Sequence, residues 1–245
     1  MYGKSENIPK YTGFLIAGTI IIVCLANLIF SLAFFQGDYL LWFFLGPLIQ
    51  TFLFTGVFIS AHEAMHGLVW PGNKIINRIV GWIAVILYAM FDYSKLYSAH
   101  HRHHANPGSA EDPDFREPEN AAYWKWYFRF IRQYLSLRQL LLMAVIFNLL
   151  QYGFNIPVHE LLLFWVVPAL LSTHQLFFFG TYLPHKPGKT IFKDKHNARS
   201  NEFPVWLSFL TCYHFGYHHE HHLAPNIPWW QLPAYNRQLN QKFTS

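Results

Sequence analysis

Charge is what this 245-residue chain has least of. Asp, Glu, Lys and Arg make up 13% of it, about half the roughly 25% of an average soluble domain. With 53% hydrophobic residues and a mean hydropathy of +0.15, that scarcity excludes an ordinary water-soluble globule and implies a membrane protein. Cysteine is nearly missing too. Cys24 lies deep in an apolar run and Cys212 near the other end of the chain, so no disulfide framework is expected and nothing calls for an oxidising compartment. No internal repeat, low-complexity tract or Gly/Ser linker divides the sequence, and one domain over residues 1–245 is expected. A Gly-rich dinucleotide fingerprint is also lacking, so any electrons the chemistry needs must come from a separate carrier protein.

Basic residues avoid two long blocks, 11–72 and 139–185, and all 18 lie outside them. A nucleic-acid binder would spread its cations over a groove-facing surface. Here they flank apolar spans, which is the positive-inside pattern. The uncharged runs 12–35 and 39–61 each exceed the ~20 residues needed to cross a bilayer, and they are too long for a signal-peptide core. Joined at Gln36-Gly37-Asp38, they read as a transmembrane hairpin. Residues 139–158 and 161–184 read as a second, with His159-Glu160 as its outer turn. Residues 77–91 are apolar but, at ~15, short of a span. An interfacial or re-entrant helix there keeps the segments on either side of it at one membrane face. Residues 111–138 combine acids, aromatics and arginines, as in a cytosolic segment rising into an aromatic belt. Residues 203–215 are too short to cross and are expected to lie against the bundle. Pro228-Trp229-Trp230 reads as an interfacial anchor. The expected fold class is an all-α membrane protein of four transmembrane helices plus interfacial helices. Both termini and the histidines described next then fall on the cytoplasmic side.

Histidine is what the chain has in excess, 15 in all. Three clusters hold most of them: His62-Glu63-Ala64-Met65-His66, His100-His101-Arg102-His103-His104, and His214-Phe215-Gly216-Tyr217-His218-His219-Glu220-His221-His222. His62 and His66 are four apart, so on a helix their rings share a face. His100, His103 and His104 have a His-x-x-His-His spacing, which His218, His221 and His222 repeat. His185, at the end of the last span, reaches the same face. That makes nine candidate ligands. A zinc ion takes about four at most, so nine imply two metals. A lone histidine is usually structural; three spaced clusters on one side are not.

The remaining histidines take plainer roles. His101 and His219 fall outside the repeated spacing, as neighbours or spare ligands. His174 lies 11 residues before His185, about 16 Å along a helix, and reads as a hydrogen-bonded residue inside the bundle. His159, in an outer turn, is out of reach. His196 and His214 are open between supporting a ligand and ordinary loop packing. Glu63, Asp112 and Asp114 are candidates for orienting ligating imidazoles, a common task of carboxylates, although the two aspartates also suit a turn around Pro113. Glu220 reads either way, as a support or a solvated charge.

His62 to His66 also matches the His-Glu-x-x-His signature of zinc proteases, with Glu63 as general base. That signature leaves the two His-x-x-His-His clusters unexplained. A haem carrier would want histidine pairs at mid-membrane, where only His174 lies. Imidazole alone does not separate zinc from iron. The setting does: a substrate arriving from the bilayer offers mainly C–H bonds, and attacking those takes O2 and a redox metal, which makes iron the inference.

Three histidine clusters at these spacings resemble the membrane di-iron desaturase and hydroxylase superfamily. The flanks narrow the resemblance to the bacterial β-carotene 4-ketolases. They include Thr55-Gly56, His62 to Gly67, His103-His104 followed by Pro107-Gly108 and Asp112-Pro113-Asp114, and Phe179 to His185. His196-Asn197-Ala198-Arg199-Ser200, Cys212 to His222, and Pro228 to Pro233 complete the set. The match runs from about residue 51 to 233; Glu63 stands where many ketolases carry Asp, which keeps the charge. The resemblance implies O2-dependent oxidation of the C4 methylene of a β-ionone ring by two successive hydroxylations and a dehydration. β-Carotene would become echinenone and then canthaxanthin. It further implies two iron ions held by His62, His66, His100, His103, His104, His185, His218, His221 and His222, and an external carrier of the ferredoxin kind. Phe177, Phe178, Phe179 and Tyr182 suit either a polyene channel or, more simply, helix packing. A carotenoid 3-hydroxylase or a lipid desaturase on the same scaffold is the nearest alternative.

Overall fold

The computed structural model describes residues 9–34, 40–115, 122–186, 192 and 194–244, and every regular element among them is helical. Three helices are long and apolar enough to cross a membrane: α1 (Thr12–Phe34), α2 (Leu40–Met65) and, further on, α7 (Val158–His185). At 1.5 Å per residue, α1 alone spans about 35 Å, more than the ~30 Å hydrocarbon core. The expected turn at Gln36-Gly37-Asp38 lies outside the described residues. α2 is the central helix and packs against α1, α3 and α7. Its lower half, from Leu53 to Met65, is almost wholly buried, whereas α1 buries only Gly13, Ala17, Cys24 and Ser31. Exposed Ile22, Ile29, Phe30 and Phe34 of α1 are what a lipid-facing helix presents.

α3 (Lys74–Ala89) starts at Asn73, whose side chain accepts from the backbone N–H groups of Ile75 and Ile76. One face buries Val80, Ala84, Val85 and Tyr88, and the other exposes Ile75, Ile79, Ile83 and Ile86. Sixteen residues give about 24 Å, short of a span. Met90 then adopts a left-handed conformation (φ 56°), Asp92 caps α4 (Tyr93–Ala105), and the chain turns by 104°. The Tyr93 ring sits against Gly81, where a side chain would collide with it, so Gly81 lets this corner close. The helix expected at 77–91 is thus found, and its sharp end swings the second histidine cluster beneath α2.

α5 (Tyr123–Tyr134) and α6 (Leu137–Gly153) form a second bent pair, at 83°. The outer turn expected at His159-Glu160 falls earlier, in residues 154–157. Asn155 there has φ 55°, Pro157 begins the next helix, and His159 and Glu160 already lie in its first turn. α7 runs through two π-helical stretches, Leu162–Val166 and Phe177–Tyr182, and ends on His185. α8 (Val205–Cys212) packs against α2 and α7, as the short apolar run implied. α9 (His218–Leu223) and α10 (Leu232–Thr244) close the chain. Trp229 is not an interfacial anchor. It is 9% exposed, packs edge-on against Tyr213, and its backbone N–H donates to Glu63 at 3.3 Å.

Inside the bundle, polar side chains pair with one another. The Thr55 and Ser172 hydroxyls lie 2.9 Å apart, and Tyr88 meets Thr173 at 2.8 Å and Ser172 at 3.2 Å. Away from water an unpaired hydroxyl is costly, so these contacts fix α2, α3 and α7 in register.

Candidate metal centre

Four elements bring the histidines together: the last turn of α2, α4, the end of α7, and α9. The nine candidates fall into two groups. His62, His66, His100, His104 and His221 form one, and His103, His185, His218 and His222 the other; within each, the nitrogens lie within 4.8 Å of one another. Helix geometry makes the partition. His100 and His104 are four apart and share a face of α4, and so are His218 and His222 on α9. The middle histidine of each set, three residues after the first, points aside: His103 leaves its helix-mates for the second group, and His221 leaves its own for the first. The groups abut, with His104 stacked on His222 at a centroid distance of 4.3 Å.

The ring nitrogens face inward in pairs. Nε2 of His66 and His100 are 2.7 Å apart, those of His104 and His221 2.9 Å, of His185 and His218 2.9 Å, and of His103 and His222 3.1 Å. Two of these rings are held in a known tautomer. His185 Nδ1–H donates to the Asn197 carbonyl at 2.7 Å, and His103 Nδ1 faces both Asp112 oxygens at 2.9 and 3.0 Å. Each therefore turns a bare Nε2 lone pair inward. Both ring nitrogens of His62, and Nδ1 of His218 and His222, are buried without a partner. Leaving such atoms unpaired costs about 1–3 kcal/mol each. Burial also disfavours the charged form of His104: it is the main cause holding that ring down at about 2, with neighbouring His103 and His62 adding to it. At His103 burial pulls the same way, but the Asp112 contact outweighs it and raises the ring. Neutral, inward-facing, partly unpaired imidazoles are the donor set that a transition metal fits. Two adjacent groups could hold two such ions.

Of the supporting candidates, Asp112 makes the most direct contact with a clustered ring. Besides His103 it accepts the backbone N–H groups of Gly108 and Asp114, both at 2.9 Å. Burial alone would raise its pKa; the His103 contact and these donors outweigh it and hold the carboxyl below the usual range. Asp114 does not touch a ligand ring. Burial pushes its carboxyl up to about 6, and it accepts the Tyr134 hydroxyl. Glu63 stands 3.5 Å from His62 Nδ1. Glu220 is buried and ties α9 down, accepting from the Ser200 hydroxyl and from Asn236 at 2.7 Å. His219 joins Asp194 at 2.8 Å. His196 keeps 6.1 Å between its ring centre and that of His222. His214 lies away from both groups, in a left-handed turn (φ 60°) against Phe209 and Trp229. His101 is exposed and stacked on Tyr97, and His174 takes the Tyr123 hydroxyl at 3.0 Å. The contacts of Asn197, Tyr134 and Trp229 with the site residues are not foreseen in the sequence, although Asn197 and Trp229 lie in motifs that it shows. A backbone carbonyl or N–H leaves no side-chain pattern, and the left-handed φ of 44° at Asn197 is visible only in the fold.

A cavity of about 330 Å³ opens onto the histidines. His62, His100, His103 and His218, drawn from both groups, lie in its lining beside Phe58 and Phe215. So do Leu140 and Leu170, which are 52% and 60% exposed on the outer surface of the bundle. Phe177 is not in this cavity; it is fully buried against Trp126, Tyr127 and Phe130. Phe178, Phe179 and Tyr182 line a separate shallow groove with Tyr123 and His174.

The fatty acid desaturase family profile matches residues 37–147 and 118–245. A β-carotene ketolase of a Paracoccus strain is 44% identical over 193 residues, covering 75% of each chain. A second, from another Paracoccus strain, is 46% identical over 185 residues, covering 75% of this chain and 74% of its own. A zeaxanthin 4-ketolase of Chlamydomonas reinhardtii is 43% identical over 186 residues, which are 74% of this chain and 41% of that protein. No solved structure matches the chain.

Proposed function

Because this chain belongs to the fatty acid desaturase family, among its β-carotene ketolases, we propose that it is an O2-dependent carotenoid 4-ketolase. Its substrate is a β-ionone ring entering from the bilayer. The C4 methylene is hydroxylated twice, and the geminal diol loses water to leave the ketone. One observation carries the reading: a single, mainly apolar cavity is lined both by surface-exposed Leu140 and Leu170, on helices apolar enough to face lipid, and by histidines of both groups. A hydrocarbon ring can therefore leave lipid and meet the histidines without crossing water.

His62, His66, His100, His104 and His221 would hold one iron, and His103, His185, His218 and His222 the other. Bound iron would supply the O2-dependent removal of hydrogen from C4. Residues of the chain do the rest. Asp112 and the Asn197 carbonyl keep His103 and His185 in the tautomer that presents Nε2, and Glu63, fixed by the Trp229 N–H, stands against His62. Phe58, Met65 and Phe215 exclude water and give the ring an apolar seat. Such aliphatic and aromatic walls offer a polyene dispersion contacts.

The chain is proposed to cross the membrane four times as one domain, by α1, α2, α6 and α7, with the termini and the histidines on the cytoplasmic side. Lys and Arg are absent from α1, α2 and α7, from α6 beyond Arg138 in its first turn, and from residues 154–157 between α6 and α7, which supports that orientation. Electrons come from an external carrier, since the sequence has no dinucleotide fingerprint.

Expressed in cells that accumulate β-carotene, the protein is expected to convert it to echinenone and canthaxanthin, read by chromatography of the extracted pigments. Unchanged β-carotene beside folded, iron-loaded protein would overturn the reading, and zeaxanthin would move it to the 3-hydroxylases.

A further inference from the structure

The apolar cavity is not the sole approach to the histidines. A polar cleft of about 890 Å³ lies between α3 and α4, and His66 is part of its lining. Lys74 and Arg78 line it from α3, and no carboxylate does among the described residues. On the α4 side stand Tyr97, Ser98 and His101. His101 belongs to neither histidine group. It stacks on Tyr97 with ring centres 4.1 Å apart and lies 6.0 Å from the His66 ring. Two exposed, stacked aromatic rings thus connect the protein surface to one of the clustered histidines.

We propose that this cleft docks the electron carrier, a small acidic iron–sulfur protein whose electrons enter by Tyr97 and His101 toward His66. The inference rests on the oxygenase reading above. Each hydroxylation consumes one O2, two electrons and two protons, and returns one C–OH and one water. The two electrons arrive singly, each oxidising one reduced carrier. Electron transfer weakens steeply with distance, so the carrier must seat where a soluble protein can approach a ligating ring closely. The apolar cavity opens to lipid and cannot admit it. The cleft lining carries Lys74 and Arg78 and, among the described residues, no carboxylate, the potential that steers an acidic partner; Asp92 at the corner is tied up capping α4. Anionic headgroups would answer to Lys74 and Arg78 but would leave the His101–Tyr97 stack without a task.

The test uses the full chain, metal-loaded, in nanodiscs of phosphatidylcholine, with a plant-type [2Fe–2S] ferredoxin as probe. Binding to the wild type is expected to weaken as salt rises. Lys74→Glu with Arg78→Glu should weaken it by about tenfold or more and slow reduction of the protein's iron by the reduced probe, while reduction by a small uncharged mediator stays unchanged. The milder Lys74→Gln with Arg78→Gln should show the same loss to a smaller extent, and it covers the case of poor folding in the first pair. Lys195→Glu, on a different surface, should bind as the wild type. Unchanged affinity in both double variants would overturn the proposal, as would a loss seen instead in Lys195→Glu. So would unchanged affinity joined to a fall in co-purifying anionic phospholipid, which makes the cleft a headgroup site. None of these measurements needs a carotenoid. A protein that binds the carrier here and leaves β-carotene untouched would sink the ketolase reading and keep the docking site.

Discussion

Replacing His221 or His103 by alanine is expected to abolish ketone formation and to lower bound metal, while replacing His159 does neither. His221 is 1% exposed and His103 4%. Each is the member of its His-x-x-His-His set that crosses to the opposite group, so each loss breaks the bond between α4 and α9 as well as removing a donor. Losing an outer partner of a metal ligand typically costs 10–100-fold; losing the ligand itself should exceed about 100-fold on that scale. α9 stays anchored through Glu220 to Ser200 and Asn236, so the fold should survive. Circular dichroism and metal content, measured beside pigment output, separate an empty site from an unfolded chain. His159 lies 26 residues before His185 on α7, roughly 39 Å away. Damage from His159→Ala equal to that from His221→Ala would mean the membrane orientation is wrong.

Asp112→Ala should be the most damaging change outside the nine histidines. The carboxylate takes His103 and two backbone N–H groups at once, so it fixes both a ring and the turn after α4. A loss of about 10–100-fold in metal affinity or turnover is expected. Asp112→Asn keeps the shape but not the charge, and should fall between. Asp114→Asn should cost less, because its side chain meets Tyr134 and no ligand ring. The ordering is read from iron retained on dialysis against a chelator. Equal losses at 112 and 114 would contradict the separate parts assigned to the two aspartates.

Much of the site's arrangement could be read from spacing alone. A four-residue interval places His62 with His66, and His100 with His104, on shared helix faces, because the helical period demands it. The partition of each His-x-x-His-His set between two groups follows from the same period, but it emerges only once α4 and α9 face each other. Local sequence says little about that facing. The 104° corner depends on a left-handed Met90 and on Tyr93 seated against Gly81, a contact that no periodicity signals. The turn before α7 was misplaced for a similar reason. His159-Glu160 is the polar pair in that stretch, yet Asn155 and Pro157 supply the backbone geometry, and a helix can begin with polar residues in its first turn. Trp229 shows the limit of composition. A Pro-Trp-Trp run suits a membrane interface, but this tryptophan is spent on holding Glu63 and packing Tyr213.

Iron analysis combined with Mössbauer spectroscopy of iron-57-loaded protein is the most direct check that nine imidazoles build one two-metal centre. Two irons per chain, in nitrogen-rich surroundings and magnetically coupled, are expected, with both signals disturbed in His103→Ala. A single zinc per chain, or one isolated iron indifferent to His103, would contradict it.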